Sequence, residues 1–148
     1  MNTFSTSLEA SESRPKAVAI ITARGGSKRI PQKNVRDFCG KPIISYSLRA
    51  ALASGVFDEV MVSTDEEAIA NVAREYGACV PFLRSAETAG DYASTDDVIR
   101  EVLLAYESRG QHFQRFCCIY PTAPFVTAQK LKTAMELLDR KSTRLNSS

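Results

Sequence analysis

Tryptophan is absent from the 148 residues, histidine occurs once, at His112, and no apolar run is long enough to span a bilayer. The four cysteines, Cys39, Cys79, Cys117 and Cys118, show no C-x-x-C spacing and no Cys/His cluster, which leaves neither a zinc ligand set nor a Cys–His nucleophile pair. Cys117-Cys118 sits in an apolar stretch, where thiols behave as small core hydrophobes, so the chain reads as reduced and cytoplasmic. A strong excess of one charge sign is lacking too. A formal net charge of +2 gives no basic stripe for nucleic acid, and no membrane partner is expected either. The N-terminus has no charged-then-apolar leader pattern, and residues 1–15 are polar, Ser-rich and acidic, as in a loose tail. The remainder is the size of one domain with its own core.

Against this plain background one stretch stands out. Ala17-Val18-Ala19-Ile20-Ile21 is apolar on both faces, as expected for a strand inside a parallel sheet, and it empties into Thr22-Ala23-Arg24-Gly25-Gly26-Ser27-Lys28-Arg29-Ile30-Pro31-Gln32-Lys33-Asn34. Open α/β sheets bind ligands at the carboxyl ends of their strands. Gly25 and Gly26 permit backbone that brings bare N–H groups against an anion, and Arg24, Lys28, Arg29 and Lys33 add positive charge. A polyphosphate is the implied ligand. The spacing is neither a Walker A loop nor G-x-G-x-x-G.

Further along, Pro42 is placed to open a helix that carries Ile44, Leu48 and Ala51 and ends at Gly55. Glu59–Ser63 reads as a strand, and Thr64 with Glu67 as a capping box for a helix over Asp65–Tyr76, closed by Gly77. Cys79–Leu83 reads as a short strand and Arg84–Ser94 as a polar loop, long enough to be functional. Ser94 or Thr95 caps a helix over Asp96–Ser108, whose Val98, Ile99, Val102, Leu103 and Tyr106 share a face. Phe116–Tyr120 is a further strand, and Thr127 caps a helix through Leu138. The alternation predicts a three-layer α/β/α sandwich with right-handed crossovers and one ligand crevice. The loops Arg24–Asn34, Arg84–Thr95 and Tyr120–Phe125 are expected to meet there.

Several charged residues have plainer readings. Arg29, Arg36 and Lys41 serve equally well as solvated loop cations. Asp65 suits the first turn of its helix, where the macrodipole favours a carboxylate, and Asp96 and Asp97 suit a helix start better than a metal. Asp91 also invites a metal reading, but the sequence identifies no metal ligands.

The string Ala23-Arg24-Gly25-Gly26-Ser27-Lys28-Arg29-Ile30-Pro31-Gln32-Lys33-Asn34 resembles the signature loop of the acylneuraminate cytidylyltransferases, the CMP-sialic-acid synthetase family. Phe38-Cys39-Gly40-Lys41-Pro42, Val62-Ser63-Thr64-Asp65, Phe82-Leu83-Arg84 and Pro121-Thr122-Ala123-Pro124-Phe125 follow in the family's order, and the likeness runs from Val18 to about Leu138. Asp37–Pro42, Val80–Arg84 and Cys117–Tyr120 are most similar to the pseudaminic acid branch, while Thr22 departs from the proline of many members. The resemblance implies a Rossmann-like nucleotide-diphospho-sugar transferase fold, here incomplete at the C-terminus. It implies transfer of CMP from CTP to a nonulosonic acid with Mg²⁺ and release of pyrophosphate, by a homodimer at full length. By position it implies Arg24, Gly25, Gly26, Ser27 and Lys28 as the triphosphate cradle, with Arg24, Lys28 and above all Lys33 acting on the transferring phosphate. It makes Ala23 (through its backbone), Asn34, Arg84 and Thr95 further nucleotide contacts, and places Tyr120 and Pro121 toward the sugar, Tyr120 standing where sialic-acid enzymes have glutamine. Alternatives are a cytidylyltransferase for another sugar acid, such as 3-deoxy-octulosonate, and a non-catalytic nucleotide-binding module.

By the same resemblance, the family's main metal-binding acids, much of its sugar pocket and a dimerisation region fall beyond Leu138. Residues 139–148 break the pattern and reverse-translate to GATCGGAAGAGCACACGTCTGAACTCCAGT, which resembles a short-read sequencing adapter. The native reading is therefore expected to end near Leu138, leaving a cytidylyltransferase portion over 16–138, an exposed sheet edge, poor solubility and little turnover.

Overall fold

A computed structural model describes residues 15–25, 36–121 and 126–147. Its elements in chain order are β1 (Ala17–Thr22), β2 (Asp37–Phe38), β3 (Lys41–Pro42), α1 (Ile44–Ser54), β4 (Glu59–Ser63), α2 (Glu67–Glu75), α3 (Ala86–Ala89), α4 (Thr95–Ser108), β5 (Arg115–Ile119) and α5 (Ala128–Ser147). The main sheet has the order β4-β1-β5 and is wholly parallel. Its central strand β1 runs in register with β4 from Val18↔Glu59 to Thr22↔Ser63 and with β5 from Ala17↔Arg115 to Ile21↔Ile119. A strand paired on both edges and covered on both faces has no exposed position, which is why Ala17 through Ile21 are all fully buried and all apolar.

Alternation along β1 splits the core in two. Ala19, Ile21 and Ala23 join Val60 and Val62 of β4 under Leu48 of α1, Ile69 and Ala73 of α2, and Leu131 of α5. Val18, Ile20 and Met61 face the other way, onto Ile99, Val102 and Tyr106 of α4. There Tyr106 meets Phe82 and Phe113 edge-on, with ring centroids 5.4 and 5.1 Å away. Helices therefore cover both faces, and the expected three layers are present. Cys117 and Cys118 follow the same alternation, one packing on each cluster, as free thiols. No helix among the described residues is long and apolar enough to cross a membrane.

Four local expectations are corrected. Cys79–Leu83 is not a strand but a single parallel bridge, Met61↔Cys79: Cys79 N–H donates to the Val60 carbonyl at 2.9 Å, and the next donor in that ladder falls on Pro81, which has no N–H. Pro42 lies in a two-residue hairpin rather than a first helical turn. Cys39 (φ 51°) and Gly40 (φ 90°) both have positive φ, the geometry of a type I′ turn. The Thr64–Glu67 capping box is absent, because α2 starts at Glu67 with no side-chain cap and the Thr64 hydroxyl accepts from Glu66 N–H at 3.2 Å. The loop after Arg84 contains the single turn α3, whose N-cap is Ser85.

Other boundaries agree closely. α1 ends at a left-handed Gly55 (φ 69°). Ser94 caps α4 in a reciprocal box with Asp97, and Thr127 Oγ1 accepts from Lys130 N–H at 3.1 Å at the start of α5. α5 continues past Leu138 to Ser147, and its Asp139 carboxylate pairs with Arg115 of β5 at 2.5 Å.

Ile20 is fully buried at the centre of the sheet. Truncating it should leave a cavity that neighbours cannot fill, so Ile20→Ala is expected to lose about 2–5 kcal/mol of stability and Ile20→Val about 0.5–1.5 kcal/mol. Urea unfolding of the two variants checks both size and order.

Candidate active site

The chain leaves β1 toward β4 and later returns on the other side of β1 as β5. Thr22, Ser63 and Ile119 end these strands at the same edge, so a crevice forms where the strand order reverses. A cavity of about 250 Å³ opens there, lined by Thr22, Arg24, Arg84, Thr95, Tyr120 and Pro121, with Thr88, Gly90, Asp91, Ala93, Ser94 and Val98 completing its wall. Arg24, the polar 84–95 segment and Tyr120-Pro121 are far apart in sequence. Their meeting is what the sequence predicts.

Arg84 is the most firmly held of the cavity's cations. Only 9% exposed, it donates from Nε to Ser63 Oγ at 3.1 Å and from its terminal nitrogen to the Ser63 carbonyl at 2.8 Å, while its own amide donates to the Thr64 carbonyl at 2.7 Å. Burial lowers its pKa, partly offset by the carboxylates of Asp65 and Glu101, and the guanidinium of Arg24 acts in the same direction as burial. Two cations thus share one wall. A buried guanidinium keeps its charge, so this wall is a fixed positive field for an anion.

Arg24 is held more loosely. Its terminal nitrogen contacts Asp91 Oδ1 at 2.9 Å, with the two side chains 34% and 44% exposed, and pairs this exposed contribute at most about 1 kcal/mol. Around it the backbone is tied down: Ala23 N–H donates to the Ser63 carbonyl at 2.9 Å and Gly25 N–H to Asp65 Oδ1 at 2.8 Å. The expectation of a bare N–H at Gly25 is therefore corrected, since Asp65 already occupies that donor. A Cβ at Gly25 would lie 2.5 Å from the far end of the Glu66 side chain, which would have to turn aside. Ala23 turns its side chain into the core. Its amide is spent on Ser63, which leaves its carbonyl for any contact with a base.

On the far wall, Tyr120 hydroxyl and Thr95 Oγ1 lie 3.5 Å apart, and the buried Ser47 of α1 donates to the Tyr120 carbonyl at 3.2 Å. Beneath them Glu101 of α4 anchors the loop, accepting from Ser85 N–H at 2.9 Å, Ser85 Oγ at 2.6 Å and Thr88 Oγ1 at 3.0 Å. Gly26, Ser27, Lys28, Lys33 and Asn34 lie outside the described residues, as do Arg29 and Thr122–Phe125. Asp97 serves the helix cap, where the Ser94 amide and hydroxyl lower its pKa. Sequence reasoning missed Ser47, Ser63, Asp91 as an arginine partner, Glu101, and the tie from Asp65. Strand register, helix packing and loop contacts bring these groups to the crevice, and none of them is a local sequence signal.

Burial tends to raise the Glu101 carboxyl, but the hydrogen bonds from Ser85 and Thr88 and the charge of Arg84 outweigh it and hold the group below the usual carboxylate range. A depressed folded-state pKa adds stability above the unfolded value of about 4.3 and loses it as pH falls through the folded value. Glu101→Gln should therefore be less stable than the parent at pH 7, with the gap closing toward pH 3. Paired denaturation curves at the two pH values test this.

The chain matches the family described as Cytidylyltransferase over residues 18–147. It is 50% identical over 121 residues to a pseudaminic acid cytidylyltransferase of Campylobacter jejuni, covering 82% of this chain and 52% of that protein. It is 38% identical over 122 residues to a CMP-N,N′-diacetyllegionaminic acid synthase of Legionella pneumophila, covering 82% and 53%. Among solved structures, a CMP:2-keto-3-deoxy-manno-octonic acid synthetase complexed with CTP is similar with a TM-score of 0.71 at 25% identity, covering 84% of this chain and 48% of that one. The chain spans about half the length of these relatives. The family match over most of the sequence, on a parallel sheet whose crevice gathers Arg24, Arg84, Thr95 and Tyr120, establishes that the chain belongs to the cytidylyltransferase family.

Proposed function

We propose that this chain carries the CTP-binding portion of an enzyme that transfers CMP from CTP to a nonulosonic acid of the pseudaminic type and releases pyrophosphate. The observation that supports it is the convergence of two guanidiniums, Arg24 and Arg84, with Thr95 and Tyr120 at the switch point of a parallel sheet. The 50% identity to a pseudaminic acid cytidylyltransferase supports the sugar class. In this reading the anomeric hydroxyl of the sugar attacks the α-phosphorus of CTP, the bond to the β-phosphate oxygen breaks, and pyrophosphate leaves. Both partners are anionic, so the first requirement is fixed positive charge where the phosphates sit. Arg84 supplies it from a buried anchorage, and Arg24 exchanges Asp91 for the incoming phosphates. Thr95 offers a hydroxyl to the nucleotide, and Tyr120 and Pro121 form the sugar side.

Ser27, Lys28, Lys33 and Asn34 join the cradle in this proposal by resemblance. Mg²⁺ belongs to it on the same ground, as does a cytoplasmic homodimer. Among the described residues, however, no group of three His, Cys, Asp or Glu side chains is placed to hold a metal. Asp65, Asp91 and Asp97 are engaged with Gly25, Arg24 and Ser94. The described residues do not fit the ion.

Calorimetric titration of the chain with CTP should show binding, and Arg24→Ala should weaken it by about tenfold or more, as expected for a lost hydrogen bond between charged groups. Pyrophosphate release by the full-length gene product with pseudaminic acid, N-acetylneuraminic acid and 3-deoxy-octulosonate in turn should be fastest with the first. Absence of CTP binding sinks the proposal. CTP binding without turnover on any sugar by the full-length gene product favours a non-catalytic nucleotide module.

A further inference from the structure

Parallel strands are joined by amides two residues apart, each donating to a carbonyl on the neighbouring strand. At the end of the β1–β4 ladder, Ala23 N–H donates to the Ser63 carbonyl at 2.9 Å. The next rung pairs Gly25 N–H with residue 65. β4 has ended at Ser63 and α2 begins at Glu67, and the acceptor at 2.8 Å is the side-chain oxygen Oδ1 of Asp65. We propose that Asp65 is a positioning residue whose carboxylate replaces a backbone carbonyl, extends the central ladder by one rung, and thereby aims Arg24 into the crevice. The inference rests on the CTP-binding reading of that crevice.

The placement of Arg24 follows from the two rungs. It lies between two tied amides, and along extended backbone neighbouring side chains point to opposite faces. Ala23 enters the core cluster beside Ile21, and Arg24 lines the cavity. The Arg84 guanidinium donates to Ser63, so the tie made by Asp65 acts on the Arg24 segment. Through-space charge alone argues the other way, because a carboxylate near a triphosphate repels it. The proposal holds that orientation outweighs repulsion, and the sign of the effect is measurable.

The test is a double-mutant cycle read by CTP titration, with Asp65→Ala, Asp65→Asn, Arg24→Ala and the double variant Asp65→Ala/Arg24→Ala, alongside exchange of the Gly25 amide followed by NMR without nucleotide. Asp65→Ala should weaken CTP binding by about tenfold, the scale of a lost charge-assisted hydrogen bond. Asp65→Asn keeps an acceptor oxygen in place and should stay within about threefold of the parent. In the Arg24→Ala background Asp65→Ala should change affinity by less than about twofold, because residues acting through one another are not additive. Gly25 exchange should accelerate in Asp65→Ala. Additive losses, tighter binding in Asp65→Ala, or unchanged Gly25 exchange would each overturn the proposal. If the parent chain does not bind CTP, the functional reading fails by itself, and the Gly25 exchange rate still decides whether Asp65 makes the tie.

Discussion

The carbonyl oxygen of Ser63 accepts two hydrogen bonds at the end of β4, from Ala23 N–H at 2.9 Å and from the Arg84 guanidinium at 2.8 Å. The first prolongs the central ladder one residue past the strand. The second satisfies part of a cation that is only 9% exposed. An unpaired buried charge is expensive, and a guanidinium cannot relieve the expense by losing its proton. The Ser63 hydroxyl and the Thr64 carbonyl complete the seat, so three consecutive residues, Ser63 to Asp65, set the positions of both arginines. If the end of β4 moved, Arg24 and the polar 84–95 segment would move with it.

This dependence sorts the residues of the crevice by stiffness. Arg84 is fixed by backbone and side chain alike. Arg24 has a fixed backbone and a half-exposed side chain against Asp91, so it can turn toward an anion at small cost. Asp65 and Asp91 neutralise part of the positive field in the absence of nucleotide. A crevice of unopposed cations would instead strain the sheet edge through self-repulsion.

How far the sequence disclosed all this depends on whether a signal was local. β1 was legible because a strand covered on both faces permits only apolar residues, and Ala17 to Ile21 are that. The caps at Ser94 and Thr127 were legible because the hydroxyl and its amide lie within one turn. The hairpin at Cys39-Gly40 was not, since a type I′ turn usually announces itself with Asn-Gly, and cysteine at φ 51° carries no such mark. Pro81 did hold the clue that Cys79–Leu83 could not be a full strand, but its effect appears only once the chain is aligned with Val62. Asp65 is the sharpest case. Its place beside a helix start suggested the macrodipole, whereas its partner is 40 residues upstream and defined by strand register alone.

The same reasoning separates the two sides of the crevice. On the arginine side, the Arg84 side chain and the amides of Ala23 and Gly25 are tied to the end of β4 and the turn after it. Opposite them, Tyr120 is 58% exposed and is secured through its carbonyl by Ser47, while its hydroxyl reaches only Thr95 at 3.5 Å. A side chain anchored by its backbone alone can change identity or rotamer without disturbing the sheet. The names of similar proteins share a cytidylyl or CMP group and differ in the sugar, pseudaminic acid in one and diacetyllegionaminic acid in another. On the proposed reading, that difference is accommodated where the structure is least constrained. Arg84, by contrast, resists change because its charge is buried, and a buried charge tolerates substitution only together with every partner that satisfies it.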